Sequence, residues 1–263
     1  MIGSGEIQNT RQQAAPLNGV VYVCYDITLA SYPMNAMPPK PPALSVLYED
    51  NHLLVIDKPV MLPTMGVAAN RPSLLAEAKE YVRTKYQKPG NVYLGVVSRL
   101  DAPVSGVVLL ARTSKAAARL TEQFRQRVVE KVYWAVVRGP VDPTSGELVD
   151  FVRKDERHRR MHIAHPQHPK AKEARLTYRV RQELGRETLL EVRLETGRKH
   201  QIRVQLAHQG WPILGDRKYG SEQAFPAGIA LHSCRLSLVH PVRMTKMEFI
   251  APLPSAWCDL GIK

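Results

Sequence analysis

The sequence predicts an α+β fold, and three observations carry that expectation. Apolar runs pair about turn-prone residues at Leu44–Asp57 and again about Gly185, as antiparallel strands do. Two stretches, Ser73 to Tyr86 and Ser114 to Gln126, carry helical spacing instead. Between them Val107-Val108-Leu109-Leu110 reads as a strand buried on both faces. With 263 residues and 44% hydrophobic content the chain has material for one large domain or two small ones. Its 37 Lys and Arg against 24 Asp and Glu leave a net charge of +13, which points to a polyanionic partner, nucleic acid first. Cys24, Cys234 and Cys258 are widely separated and lack C-x-x-C spacing, so they indicate neither a disulfide framework nor a zinc site and suit a reducing cytoplasm. No basic n-region precedes an apolar run at the start, and no stretch approaches the ~20 apolar residues of a membrane span. A soluble, unsecreted, cytoplasmic protein without membrane association is expected.

In chain order, residues 1–19 are polar and read as a loose tail, Gly19 to Thr28 has the composition of an edge strand, and Pro33, Pro38, Pro39, Pro41 and Pro42 make an extended linker ending near Ala43. The folded domain is expected over 44–263. Within it Leu44-Ser-Val-Leu-Tyr48 and Leu53-Leu-Val-Ile56 form a hairpin about Glu49-Asp50-Asn51. Ser73 caps the first helix, whose Leu74, Leu75, Ala78 and Val82 share a side, and Pro89-Gly90 stops it. In the second helix Ala117, Leu120 and Phe124 recur at helical spacing, and Lys131 to Arg138 then alternates as a strand. A strand, helix, strand order can return the chain beside its starting point and so bring Tyr133 near Asp101. Arg153 to Arg175 holds eight basic residues against three acidic ones and reads as a basic loop lying on RNA phosphates. Its His158, His162, His165 and His168 are interrupted by prolines and have no Cys or paired carboxylates beside them, so no metal site is expected. Leu176 to Leu184 and Leu189 to Glu195 pair about Gly185; Thr196-Gly197 opens a short helix with Lys199, Arg203 and Ala207 on one face and Ile202 and Leu206 on another. Ile229 to Val239 and Lys246 to Ile250 supply further strands, with His232 and His240 as structural histidines.

The chemistry centres on Ser98-Arg99-Leu100-Asp101-Ala102-Pro103-Val104-Ser105-Gly106, where a loop sets a carboxylate against the rigid edge of the buried strand. An isolated Arg-Leu-Asp reads equally as a turn or a surface ion pair. Two further blocks accompany it: Lys131-Val132-Tyr133-Trp134-Ala135, and Thr196-Gly197-Arg198-Lys199-His200-Gln201-Ile202-Arg203-Val204-Gln205-Leu206. In that order, across roughly Leu44 to Pro252, they resemble the HRLDxxTSG, KxYxA and TGRxHQIRxHL motifs of the RluA-type RNA pseudouridine synthases.

That resemblance implies a mixed, mainly antiparallel sheet flanked by helices, no metal or other cofactor, and a substrate of structured RNA, rRNA or tRNA. It implies Asp101 as the acting carboxylate, by attack at C1′ or at C6 or by forming a glycal, with Tyr133 and Arg203 as its partners. A guanidinium beside Asp101 favours its charged form, and an aromatic with a polar tip can stack on uracil and handle the proton at C5. The target base must leave its stack, with Arg99 placed to fill the gap or hold a phosphate, and Arg198, Lys199 and Lys58 are expected on the RNA backbone. No obligate protein partner is implied, and a monomer is expected. Many relatives begin with an S4 RNA-binding domain, which the residues before the linker are too few to hold. Ser98, Val104 and Gln205 depart from the family's His, Thr and His and are read as changes in RNA handling, and Val60 to Gly66 departs from its KPxGxxxHP loop. Competing expectations are a non-catalytic RNA-binding relative or ribosome-assembly factor, and a hydrolase, which would want a second carboxylate near Asp101.

Overall fold

A computed structural model describes residues 44–68 and 70–262. The expected tail, edge strand and linker lie outside them. The elements run β1 (Val46–Glu49), β2 (Leu53–Lys58), α1 (Leu74–Lys85), β3 (Gly95–Val96), β4 (Ser105–Ala111), α2 (Ser114–Arg125), β5 (Glu130–Arg138), β6 (Ser145–Asp155), β7 (Arg160–Ile163), β8 (Lys172–Leu184), β9 (Glu187–Leu194), α3 (Gln201–His208), β10 (Leu231–Val239) and β11 (Lys246–Ile250). The sheet order is β1-β2-β4-β10-β5-β9-β8-β6-β7, with β11 on β10 and β3 on β4. Pairings are antiparallel save β10 on β4, the mixed and mainly antiparallel sheet that the sequence led us to expect.

Local chemistry explains the elements. Asp50 closes the first hairpin, its Oδ1 accepting from the backbone of His52 and Leu53 at 2.7 and 2.8 Å. Ser73 Oγ accepts from Ala76 N at 3.3 Å and caps α1 as expected; at α2 the cap is Thr113, one residue before the expected start, accepting from Ala116 N at 3.1 Å. All seven residues of β4 are buried, because Leu54, Ile56 and α1 cover one face and α2 with Leu47 and Phe249 covers the other.

Two expectations change. β5 does not lie beside β4: the late strand β10 stands between them, parallel to one and antiparallel to the other. And close to half of Arg153–Arg175 is strand. The end of β6 pairs with β7 and the start of β8 closes on β6, while Val152, Met161 and Ala174 turn inward against Val204 and Tyr219. The inward period-two positions are only three and widely spaced, so the charges and histidines between them hide the alternation. His158 and His162 both lie against the Asp155 carboxylate, at 2.8 and 3.3 Å. Among the described residues no helix is long and apolar enough to cross a membrane.

The β4–β10 seam holds the end of the Asp101 loop. Ser105 Oγ lies 2.9 Å from Nδ1 of the buried His232. Gly106 has φ +109°, and a Cβ there would come within 2.3 Å of the Ser233 carbonyl oxygen; Gly228, φ +70°, likewise sits under Pro103, whose oxygen would be 2.4 Å from a Cβ. We therefore expect Gly106→Ala to lower the unfolding free energy by about 3 kcal/mol or more, seen as a clear drop in melting temperature, since both close contact and backbone strain oppose it. His232 is pulled down to about 4 by burial, from an ordinary 6.5. Between those values the unfolded chain binds a proton that the folded one refuses, so stability falls as pH falls through that window. Urea midpoints should drop from pH 6.5 to 4, and the drop should shrink in His232→Gln.

Candidate active site

Asp101 stands in the turn between β3 and β4, its carbonyl accepting from Val104 N at 3.1 Å. Two side chains, one at the end of β2 and one in the loop that follows it, pin this turn. Thr64 Oγ1 donates to Leu100 O at 2.9 Å and accepts from Leu100 N at 3.1 Å. Lys58 Nζ donates to the carbonyls of Pro59, Leu62 and Ala102 at 2.7, 2.8 and 3.2 Å and is wholly buried. Burial pulls its pKa down to about 7 against the opposing charges of Asp101 and Asp57. The expectation that Lys58 contacts the RNA backbone is thus corrected: its donors face protein carbonyls.

From the other side comes Arg203, on α3. Its Nη1 donates to Asp101 Oδ2 at 3.0 Å, while Nε and Nη2 donate to Asp216 Oδ2 and Oδ1 at 2.6 and 2.8 Å. The guanidinium side chain is 6% exposed and Asp216 1%, whereas Asp101 is 26% exposed. Burial works against the charge on Arg203, but the two carboxylates outweigh it and its pKa lies above the ordinary value. Asp216 is a bidentate clamp; Asp101 is the partner that solvent reaches.

The segment before α3 supplies a further group. The expected helix start at Thr196-Gly197 is corrected, because α3 begins at Gln201 after His200 adopts φ +52°. Thr196 Oγ1 and Arg198 N both donate to Gln201 Oε1, at 2.7 and 2.9 Å, and fold these residues into a turn instead. His200 then brings Nε2 to 3.7 Å from Asp101 Oδ2. Its Nδ1 meets the Tyr219 hydroxyl at 2.7 Å, and that hydroxyl accepts from Met161 N at 2.9 Å. The imidazole is thus held between the phenol at Nδ1 and the Asp101 carboxylate on its Nε2 side. Burial lowers the His200 pKa against the pull of Asp101, so the ring is neutral at pH 7. The Tyr219 ring centroid is 5.0 Å from the Arg203 guanidinium carbon.

Tyr133, half-buried on β5, is pushed up to about 12 by burial, with a hydrogen bond to Ser233 opposing and the charge of Asp101 adding. Asp101, Arg203 and Tyr133 thus share one electrostatic neighbourhood. Arg99 and Lys199 are exposed, while Arg198 is half-buried with Nε donating to Glu173 O at 2.8 Å. Two of the three motif departures are enclosed side chains. Val104 is 2% exposed, and Gln205, fully buried, donates from Nε2 to Leu148 O, Asp150 Oδ2 and Ala174 O at 3.3, 2.8 and 3.1 Å, tying α3 to β6 and β8. Ser98 Oγ accepts from Leu109 N at 2.9 Å. Thr64, His200, Asp216 and Tyr219 were missed from sequence; the last two stand in Gly215-Asp216-Arg217-Lys218-Tyr219, close after the Arg203 block.

Residues 52–208 match the RNA pseudouridylate synthase family. Over 234 residues the chain is 38% identical to ribosomal large subunit pseudouridine synthase D of Xylella fastidiosa, covering 82% of this chain and 68% of that protein. The protein of that name from Yersinia pestis is 34% identical over 231 residues, 82% of this chain and 69% of the relative. Human RNA pseudouridylate synthase domain containing 4 superposes with a TM-score of 0.69 at 24% identity over 83% of this chain and 94% of that one, and domain containing 1 with 0.66 at 23% over 83% and 87%, a likeness of fold. The chain belongs to the RNA pseudouridylate synthase family, as its resemblance to the RluA-type enzymes implied.

Asp216→Asn keeps the shape of the clamp and removes its charge. We expect it to cost about 3 kcal/mol or more in urea unfolding and to lower turnover about 10²-fold through misplacement of Arg203; full turnover would mean that Asp101 is positioned without the clamp.

Proposed function

We propose that the chain isomerises specific uridines of structured RNA, ribosomal RNA foremost, to pseudouridine, with Asp101 as the acting carboxylate. The observation that carries this reading is an accessible carboxylate held 3.0 Å from a guanidinium that is itself fixed by a buried acid. The reaction breaks the bond from N1 to C1′, turns the base and joins C5 to C1′; the proton leaves C5 and another is taken up at N1. No redox change is involved. Each of the three routes, through C1′, C6 or a glycal, needs an ionised carboxylate at the flipped nucleoside.

Tyr133 offers its ring face to the uracil. With its pKa near 12 the phenol keeps its proton at pH 7 and serves as a donor rather than as a base. Neutral His200 stands beside the carboxylate without adding charge. Arg99 fills the place of the extruded base, and Lys199 and Arg198 take phosphates. The names of the relatives favour large-subunit rRNA as substrate. Free thiols at Cys234 and Cys258 suit work in a reducing cytoplasm, where the enzyme acts as a monomer.

Uridine tritiated at C5 and carried in large-subunit rRNA should lose its label to water with wild type, and at background rate with Asp101→Ala. Release that survives the substitution would remove the proposed carboxylate, and RNA binding without release by wild type would make the chain a non-catalytic relative.

A further inference from the structure

Residues next to each other on a strand face opposite sides of its sheet, and β5 uses both. Tyr133 faces the Asp101 side. Trp134 faces the other, where it forms part of a shallow depression of about 560 Å³ walled by Ile250 to Leu253. Cross-strand register puts Glu191 opposite both Trp134 and Arg179, and Arg193 opposite Val132, all on this back face. Glu191 is 5% exposed and its two oxygens are spent on three arginines: Oε2 accepts from Arg179 Nη2 at 3.1 Å and Arg181 Nη1 at 2.8 Å, Oε1 from Arg193 Nε and Nη2 at 3.2 and 3.1 Å. One buried acid thereby holds three guanidinium groups in a fixed array, and their side chains stay 57%, 37% and 52% exposed. Arg235, 31% exposed and paired with Glu248 at 3.4 Å, lines the same depression. The guanidinium carbon of Arg181 lies 5.1 Å from the Trp134 ring centroid, a stacked pair half open to solvent.

A single acid this well enclosed needs one partner, and the surplus cations face outward. Arginines in register on an open sheet face beside a half-exposed aromatic are the chemistry by which sheet-surface modules take single-stranded RNA, bases stacking on ring and guanidinium planes and phosphates lying on the remaining cations. None of these groups takes part in the Asp101 site. We propose that this back face is a second RNA-binding surface, which holds a single-stranded segment flanking the target and receives it around the sheet from the catalytic side. The inference rests on the proposed action on RNA, and it adds a site rather than a step.

The test uses the full chain and unmodified large-subunit rRNA. In wild type, irradiating the complex with a 4-thiouridine-substituted fragment of that rRNA should crosslink peptides of β5, β8 or β9 bearing Trp134, Arg179 or Arg193. In Arg179→Gln/Arg235→Gln the slope of log affinity against log salt should fall by about 1.4, and Trp134→Leu should weaken binding about tenfold. Both variants should keep wild-type tritium release at saturating RNA, with matching thermal melts showing that they fold. Unchanged affinity and slope in folded variants, or crosslinks confined to peptides around Asp101 and α3, would overturn the proposal. So would crosslinking of a photoreactive residue at position 134 to residues 1–43 in place of RNA, which would give the face to the chain's own N-terminal segment. An enzyme that is active but whose variants bind normally loses only this surface, whereas wild type that releases no tritium loses the enzymatic reading by itself.

Discussion

The fork of Arg203 between Asp216 and Asp101 is the interaction on which the rest of the structure depends. A buried ion pair adds little net stability, because desolvation of both charges offsets their attraction. What it fixes is geometry. The planar guanidinium spends two donors on the enclosed acid and so has its third aimed before Asp101 arrives. The difference in exposure between the two carboxylates, 1% against 26%, separates a structural acid from one that a substrate can meet. A lysine could neutralise either charge but could not hold both directions at once.

The opposite bank is built with equal strictness from backbone groups. Lys58, the last residue of β2, and Thr64, in the loop after it, are far from Asp101 in sequence, yet each bonds to the main chain of its immediate neighbours, Ala102 and Leu100. Gly106 and Gly228 permit the close approach that brings the two ends of the Asp101 turn against β10 and the residues before it. α3 gains its orientation the same way: Gln201 gathers the turn ahead of it, and Gln205 binds two carbonyls and a carboxylate in neighbouring strands. Val104 and Gln205, two positions where the chain departs from the RluA-type motifs, thus lie in the scaffold.

Much of this was legible in sequence. The hairpin at Leu44–Asp57, the helix capped by Ser73 and the pairing about Gly185 follow from periods and turn residues that act over a few positions, and they appear where expected. Asp101, Tyr133 and Arg203 stood out because their motifs are dense. What stayed hidden depends on partners distant in sequence. The direction of Lys58 is set by carbonyls across the fold, so an apparently free cation turned out to be an internal tie. Asp216 is one acid among many until Arg203 faces it. The strands of 153–175 bury so few side chains that their alternation is lost among charges. β10, inserted between β4 and β5, leaves no local signature at all, since the order of strands in a sheet is written in no single segment.

That insertion bears on when the protein becomes competent. The floor beneath Asp101 is completed by Ser233 and its neighbours, which are translated long after the acid itself and must slot between two strands already made. Contacts of such wide sequence separation form late, because the intervening loop must close before they yield anything. A nascent polypeptide emerging from a ribosome consequently carries Asp101 without its seat until β10 has followed it out.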